Sequence, residues 1–411
     1  MSTALHIGFI PLIDAAALLV AVDKGFTKTE GLDVTLAPEV SWSNVRDKLN
    51  IGHFDAAHLM APIAIASSLG SGHVKVPVVA SFNLGLNGNA ITVSPALHAA
   101  ILHEAEGDPF DPMVTALALA RVVASRRRSG AAPLTFGMTF PFSTHNYQLR
   151  FWMAAAGVDP EEDVRLVVLP PPYMVDSLAN GQVDAFCVGD PWNSVAVDLG
   201  VGHILNFVSD ILPRAVEKVL AVRQSWAERN PQVLAALVRA AVHAADFIEQ
   251  PENRAEVADI LAHPQRMGVP ADVIQRALAG RLKIAPDGTM HEDKNYLLVG
   301  RDGAARPDPA QAAWLYAQMV RWGQTSFSPA ALEAAMAVFR PGLYDAALGR
   351  RPGGTGLAAS GLADNALADS ALADNALGEL GPVDAFAGPR FDPRDLQGYL
   401  TSLAIPPRQH A

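Results

Sequence analysis

Asp47-Lys48-Leu49-Asn50-Ile51-Gly52-His53-Phe54-Asp55-Ala56 and Asp176-Ser177-Leu178-Ala179-Asn180-Gly181-Gln182-Val183-Asp184-Ala185 align without a gap and share Asp, Leu, Gly, Asp and Ala at matching places. Each copy reads as the end of a helix, a glycine stop and the start of a short strand. One echo is not a repeat array. It does predict two α/β lobes of similar build with equivalent helix–strand units facing one another. In such folds small ligands bind off the carboxyl ends of the strands, here in the cleft between lobes.

Outward from the first copy, the pattern alternates strand and helix. Leu5 to Ile10 is a short apolar strand, Asp14 a plausible N-cap, and Leu18, Leu19 and Val22 sit at helical spacing before Gly25. Leu32 to Leu36 is a second strand, Ser41-Trp42-Ser43 introduces a helix over Asn44 to Asn50, and Phe54 to His58 returns as a strand. This alternation predicts a largely parallel sheet. Val76 to Ser81 and Ala90 to Ser94 read as further strands, separated by the turn-rich Asn83 to Asn89. Pro95 to Pro133 reads as helical, with Arg126-Arg127-Arg128 as a solvated helix C-terminus.

The second copy has similar surroundings. Leu134 to Met138 is a strand, Ser143 and Thr144 occupy a helix N-cap, Leu149, Trp152, Met153 and Ala156 form its apolar face, and Gly157 ends it. Val164 to Leu169 is a strand, Met174 to Ala179 a helix and Val183 to Val188 a strand. Beyond Val219 to Val222, helices at Pro231 to Gln250, Arg254 to Leu261, Ala271 to Gly280 and Pro309 to Trp322 are expected to wrap back on the first lobe. The expected division is lobe 1 over residues 1–92 and 206–345, lobe 2 over 93–205, a low-complexity flexible insert over 346–390 and a C-terminal tail over 391–411. Within the insert, Ala363 to Leu377 repeats Ala-Asp-Asn/Ser-Ala-Leu, a period of five that matches neither helix nor strand.

Composition narrows the function. Of 411 residues, 50% are hydrophobic and 18% charged, as in a globular protein. A net charge of -11 argues against a general nucleic-acid binder, so direct nucleic-acid contact is not expected. The one cysteine, Cys187, excludes an internal disulfide and a cysteine zinc cluster; its apolar strand suits an inert core thiol. There is no run of about 18 uninterrupted apolar residues, so no membrane association is expected. Met1-Ser2-Thr3 leads straight into strand-like sequence with no secretory pattern, and the expectation is a cytoplasmic protein.

Catalytic signatures are missing: no Gly-x-Ser-x-Gly elbow, no phosphate-binding loop and no His-Glu-x-x-His pair. His98 and His103 are five apart, the wrong spacing for one helix face. Weight therefore moves from catalysis to binding, with no enzyme activity and no cofactor expected. Polar groups do gather at strand-to-helix junctions: Asp14, Trp42, Asn89, His145 and Val188-Gly189-Asp190-Pro191-Trp192, with Lys218 ahead of a strand. Taken singly, Trp42 can be packing, Asn89 turn chemistry, Lys218 surface charge, and Ser143-Thr144-His145 an ordinary capped helix. Together they offer one ammonium, one imidazole, one indole N–H and backbone N–H donors, a set suited to a single small anion.

A resemblance is carried by Gly8-Phe9-Ile10-Pro11-Leu12 with Asp14-Ala15-Ala16, Ser41-Trp42 with Arg46-Asp47, and Asp55-Ala56-Ala57-His58. Further pieces are Ala90 to Ser94, Ser143-Thr144-His145-Asn146-Tyr147 with Leu149 to Trp152, Phe186 to Asn193, and Glu217-Lys218-Val219-Leu220. In this order, over roughly the first 225 residues, the chain resembles the nitrate- and bicarbonate-binding branch of ABC-transporter solute-binding proteins. The resemblance implies a two-lobed, type II periplasmic-binding-protein-like α/β fold with a helical C-terminal part. It implies that Trp42, His145 and Lys218 contact the anion while Pro171, Val188, Gly189 and Asp190 line the pocket. Asn89 stands where nitrate binders usually carry Gln, and Asp190 where they usually carry Glu. Bicarbonate relatives are thought to need calcium, and no carboxylate cluster here demands a metal. Without an export signal, the chain is most similar to the cytoplasmic NasS-type nitrate/nitrite sensors. That similarity implies a NasT-like, RNA-binding antiterminator as partner, held by the ligand-free sensor and released by nitrate or nitrite to turn on nitrate-assimilation genes. Two alternatives stand beside it: a solute-binding component of a nitrate or bicarbonate ABC transporter, and an enzyme of the related thiamine-precursor or desulfonation type.

Overall fold

The computed structural model describes residues 2–350 and 383–408. Its strands are β1 (Thr3–Phe9), β2 (Leu32–Pro38), β3 (Ala56–Met60), β4 (Val78–Asn87), β5 (Asn89–Val93), β6 (Thr135–Met138) and β7 (Arg165–Val168). There follow β8 (Ala185–Gly189), β9 (His203–Phe207), β10 (Val216–Arg223), β11 (Arg281–Lys283), β12 (Met290–Glu292) and β13 (Leu297–Leu298). They make a six-stranded sheet in the order β13-β4-β10-β3-β1-β2, a five-stranded sheet in the order β7-β6-β8-β5-β9, and a β11-β12 hairpin. Two α/β lobes result, as the echo between Asp47–Ala56 and Asp176–Ala185 predicts. The echoed strands β3 and β8 hold central places in their own sheets.

The chain passes from one sheet to the other within two residues. Asn87 and Gly88 adopt φ of 59° and 80°, a left-handed region that Asn tolerates and Gly enters freely. The return path is tied to the same point: the Asn87 N–H donates to Ala215 O at 2.8 Å and the Ala215 N–H to Asn87 Oδ1 at 2.9 Å. Both strands that cross between lobes are thus clamped side by side.

Four sequence expectations shift. The turn-rich Asn83 to Asn89 is mostly strand, because the asparagine side chains reach neighbouring loops instead of turning the backbone; Asn83 Nδ2 donates to Ala304 O at 3.0 Å and Asn87 Nδ2 to Asn295 O at 2.8 Å. The sheets are mixed rather than largely parallel, since β10 runs antiparallel to β3 and β4, and β5 antiparallel to β8 and β9. The expected lobe boundaries at 92/93 and 205/206 fall inside β5 and β9, both strands of the second sheet. The helical stretch from Pro95 breaks into Pro95–Glu104 and Pro112–Ser129 around Gly107 and Pro109, with Asp111 capping the second piece.

Helix Pro231–Glu249 packs on Ala16–Asp23, covering the first sheet. Among the described residues it is the helix long and apolar enough to cross a membrane, yet Leu234, Leu237, Val238, Ala241 and Ala244 are buried in the core. The tail docks: Phe391, Leu396, Tyr399 and Leu400 are buried against helix Pro309–Arg321. The Ala363 to Leu377 repeat, expected as a flexible insert, lies outside the described residues.

Candidate functional site

Buried polar side chains from both lobes meet where the parallel strands end. The first lobe sends Asp14 from the short 3-10 turn after β1, Trp42 from the first turn of helix Trp42–Asn50, His58 from β3, and Glu217 and Lys218 from β10. The second sends Asn89 from the start of β5, Thr139 from the end of β6, His145 and Gln148 from helix Thr144–Ala155, and Asp190 from the end of β8. All are buried. Ser143 is the N-cap the sequence predicts, accepting the Asn146 N–H at 3.0 Å, and Thr144 Oγ1 donates across the lobes to Val216 O at 3.2 Å.

Adjacent residues of a regular strand point to opposite faces, yet Lys218 Nζ lies 3.5 Å from Glu217 Oε2. The register of β10 explains this. Val216 pairs with Leu86 and Lys218 with Gly85, so Glu217 is one extra residue on β10, a bulge that re-aims its side chain.

The charges are arranged unequally. Lys218 Nζ is 2.8 Å from Asp14 Oδ2. Burial works to raise the Asp14 pKa, but the Lys218 charge and the His58 hydrogen bond outweigh it and hold this carboxylate well below its usual range. Burial works against the Lys218 charge, but Asp14 and Glu217 outweigh it and push its pKa up. Glu217 is pushed to about 7 by burial, against the opposing pull of Lys218 and the hydrogen bonds it accepts. Its Oε1 accepts Gln148 Nε2 at 2.7 Å, and Asn89 Nδ2 donates to Gln148 Oε1 at 3.2 Å. Burial, reinforced by Lys218, pushes the His145 pKa well below the usual imidazole range, so this ring is neutral at pH 7. His145 Nδ1 is 3.0 Å from Thr139 Oγ1, and Nε2 has no hydrogen-bond partner and lies 3.9 Å from Glu217 Oε2. Trp42 Nε1 is also unpartnered, with Lys218 Nζ 5.5 Å from the ring centroid.

Of the sequence candidates, Trp42, Asn89, His145, Gly189, Asp190 and Lys218 converge here. A Cβ on Gly189 would lie 3.2 Å from Asn89 Oδ1 and 3.5 Å from Asp14 Oδ2, so only glycine lets β8 come this close without displacing a neighbour. Asp190 supports the wall: Ser194 N and Oγ donate to Oδ1 at 3.2 Å each, Tyr296 OH donates to Oδ2, and Ile13 N donates to Asp190 O at 2.9 Å. The Val188 side chain points elsewhere, into a small cluster with Met174, Val175 and Phe186. Pro171 is the buried first residue of a 3-10 turn after β7 whose Tyr173 is exposed, and it is outside the hydrogen-bonded set. Lys218, expected ahead of a strand, is within one. Glu217, Gln148, Thr139 and Tyr296 carry the site without having been singled out from sequence. The signal for Glu217 was two adjacent charges inside the apolar run Ala215 to Val222.

A two-lobed α/β fold with a sealed polar cluster between the lobes defines the class of solute-binding folds. Residues 1–262 match the NMT1-like family model, and the chain belongs to that family. The nitrate import ATP-binding protein NrtC of Synechocystis sp. is 32% identical over 405 residues, 98% of this chain and 55% of NrtC. The chain thus spans about half the length of the first curated relatives it matches. The nitrate/nitrite binding protein NrtA of Nostoc sp. is 30% identical over 78% of this chain and 71% of its own length. The crystal structure of the periplasmic nitrate-binding protein NrtA from Synechocystis PCC 6803 superposes with a TM-score of 0.83 at 27% identity, covering 98% of each chain.

Proposed function

We propose that this chain is a binding protein for a small planar oxyanion, nitrate or nitrite, held between the lobes by Trp42, His145 and Lys218. One observation carries the reading: the indole N–H of Trp42 and the Nε2 of His145, both buried, stand without partners beside a buried ammonium. Buried polar groups are normally paired, and these open ones come from both lobes and gather beside one charge, which suits a ligand held between them. The names of its relatives, nitrate- and bicarbonate-transport proteins, support the same ligand class. The site is sealed, so the ligand enters when the lobes part and favours the closed form through its contacts with both. Delivery of the anion to an ABC-type importer is the role best supported.

Titration calorimetry with nitrate, nitrite, sulfate and bicarbonate tests the ligand. Absence of heat with nitrate and nitrite overturns the reading, and bicarbonate heat that depends on calcium favours carbon uptake instead. The regulatory reading uses the same equilibrium: an open, ligand-free chain in the cytoplasm holds an RNA-binding antiterminator and releases it on closing. Its support is the sequence resemblance alone, carried by the motifs from Gly8 to Leu220. Its test is whether the chain retains an antiterminator on a column and gives it up when nitrate is added.

A further inference from the structure

The two ring nitrogens are not the only open polar atoms in this cluster. Two buried acceptor oxygens, Glu217 Oε2 and Asn89 Oδ1, also have no hydrogen-bond partner. An anion seated among Trp42 Nε1, His145 Nε2 and Lys218 Nζ therefore has Glu217 Oε2 as a neighbour, 3.9 Å from the imidazole and 3.5 Å from the ammonium. Nitrate and nitrite bring no hydrogen to satisfy that oxygen. Beside a carboxylate in a buried site they would be repelled, and Lys218 offers little surplus charge because Asp14 Oδ2 already lies 2.8 Å away. The bulge in β10 is what turns Glu217 toward Lys218 and so to this position.

We propose that Glu217 contacts the ligand as the carboxylic acid, so that above neutrality each nitrate or nitrite enters with one proton taken from solvent. This rests on the oxyanion reading above. The new O–H bond forms at Glu217 Oε2 and donates to the anion, while Oε1 goes on accepting Gln148 Nε2. The cluster then holds Lys218 against Asp14, with a neutral acid added beside the neutral Trp42 and His145 rings. The groups facing Glu217 leave it as the one that titrates. Lys218 on its own strand stays charged and Asp14 stays ionised, while His145 is held neutral by burial and by Lys218. Cys187, on β8, has its thiol pKa pushed up by burial and stays protonated. Glu217 itself is poised near neutrality, where a second anion readily tips it to the acid.

The test is calorimetric titration of the full chain with nitrate from pH 5.5 to 8.5, in paired buffers of different ionisation enthalpy, for the wild type and Glu217→Gln. The amide keeps a permanent N–H donor where the acid would have its O–H. The wild type is expected to lose about tenfold in affinity per pH unit above neutrality and to take up close to one proton. Glu217→Gln should bind with affinity that does not vary over that range and without proton uptake. Wild-type binding without proton uptake above neutrality overturns this proposal and leaves the oxyanion site standing, as does a Glu217→Gln profile with the wild-type slope, which would place the proton on His145. Absence of nitrate binding by both folded proteins at every pH overturns the oxyanion site and this proposal with it.

Discussion

Asp14 Oδ1 lies 2.9 Å from His58 Nε2, while the Nδ1 of the same ring accepts the Ile10 N–H at 3.3 Å. The imidazole is thereby fixed as a neutral ring with its proton on Nε2, consistent with burial lowering its pKa. One Asp14 oxygen is held by that proton, which leaves the other aimed at Lys218. His58 orients the counter-ion without adding charge.

Asp14→Asn breaks a buried ion pair from one side and should destabilise the ligand-free protein by about 3 kcal/mol at pH 7, read from urea denaturation. The sign of the pH dependence follows from the depressed Asp14 pKa. Its contribution is complete above the ordinary carboxylate value of 3.8 and fades as the pH falls below it. The loss from Asp14 itself should therefore be constant at pH 5–8, and the deficit should narrow toward pH 8 as Glu217, whose pKa Asp14 helps to raise, gains from the freed Lys218.

Glu217→Gln should do the opposite. An acid raised from 4.5 to about 7 keeps its proton in the folded chain where the unfolded chain has lost it. Wild-type stability thus falls as pH rises through that window, and the full penalty applies above it. The ligand-free variant should match the wild type near pH 4.5 and exceed it by about 3 kcal/mol at pH 8. Equal stabilities at pH 8 would show that the carboxylate is solvated and not confined.

The two-lobed plan was legible because it rests on local signals: glycine stops, caps and apolar runs repeated at two places. The meeting of Trp42, His145 and Lys218 was legible in part, because Trp42 and His145 follow helix caps that the sequence marks with Ser41 and Ser143. Two things were not. Glu217 faces the cluster only because of a bulge, and a bulge depends on pairing with β4, which one strand's sequence does not encode. The strand through Asn83 to Asn87 looked like a turn because its asparagines find their partners in loops more than two hundred residues away in sequence. Val188 shows the converse: an apolar neighbour in a matching motif turns into the core, as strand alternation requires beside Gly189.

Lys218→Ala removes the only ammonium the cluster contains among the residues described here. Nitrate affinity should fall at least about 100-fold, since a buried charge contact is lost outright. Circular dichroism should stay that of the wild type at pH 5–6, where Glu217 is already the acid and only Asp14 needs a new partner. A variant that keeps wild-type affinity would remove Lys218 from the site.

Trp42→Phe separates packing from ligand contact. The indole N–H bonds nothing in the ligand-free protein, so no protein hydrogen bond is lost with it. The ring also packs against His58, with centroids 5.3 Å apart, and Phe preserves part of that contact. Nitrate affinity should drop about tenfold, the worth of one hydrogen bond to a charged partner. A change in stability without a change in affinity would make Trp42 a packing residue alone.

The tail gives the last prediction. Phe391, Leu396, Tyr399, Leu400 and Leu403 are buried, and the tail backbone meets helix Pro309–Arg321 through Arg408 N to Arg321 O at 2.9 Å and Arg321 Nε to Ile405 O at 3.3 Å. Arg321 is itself buried, and that burial lowers its pKa to about 10. A chain ended at residue 382 would uncover Trp314 and Arg321 together. Each large apolar side chain that loses its burial forfeits about 1.5–3 kcal/mol, so the loss should exceed about 5 kcal/mol in total. The helix that is stripped packs in turn on helix Ala61–Leu69, which covers the first sheet near β10. Thermal melting should show the truncated chain unfolding well below the full one, with dye binding reporting exposed apolar surface. An unchanged melting temperature would mean that the tail rests on the body without stabilising it.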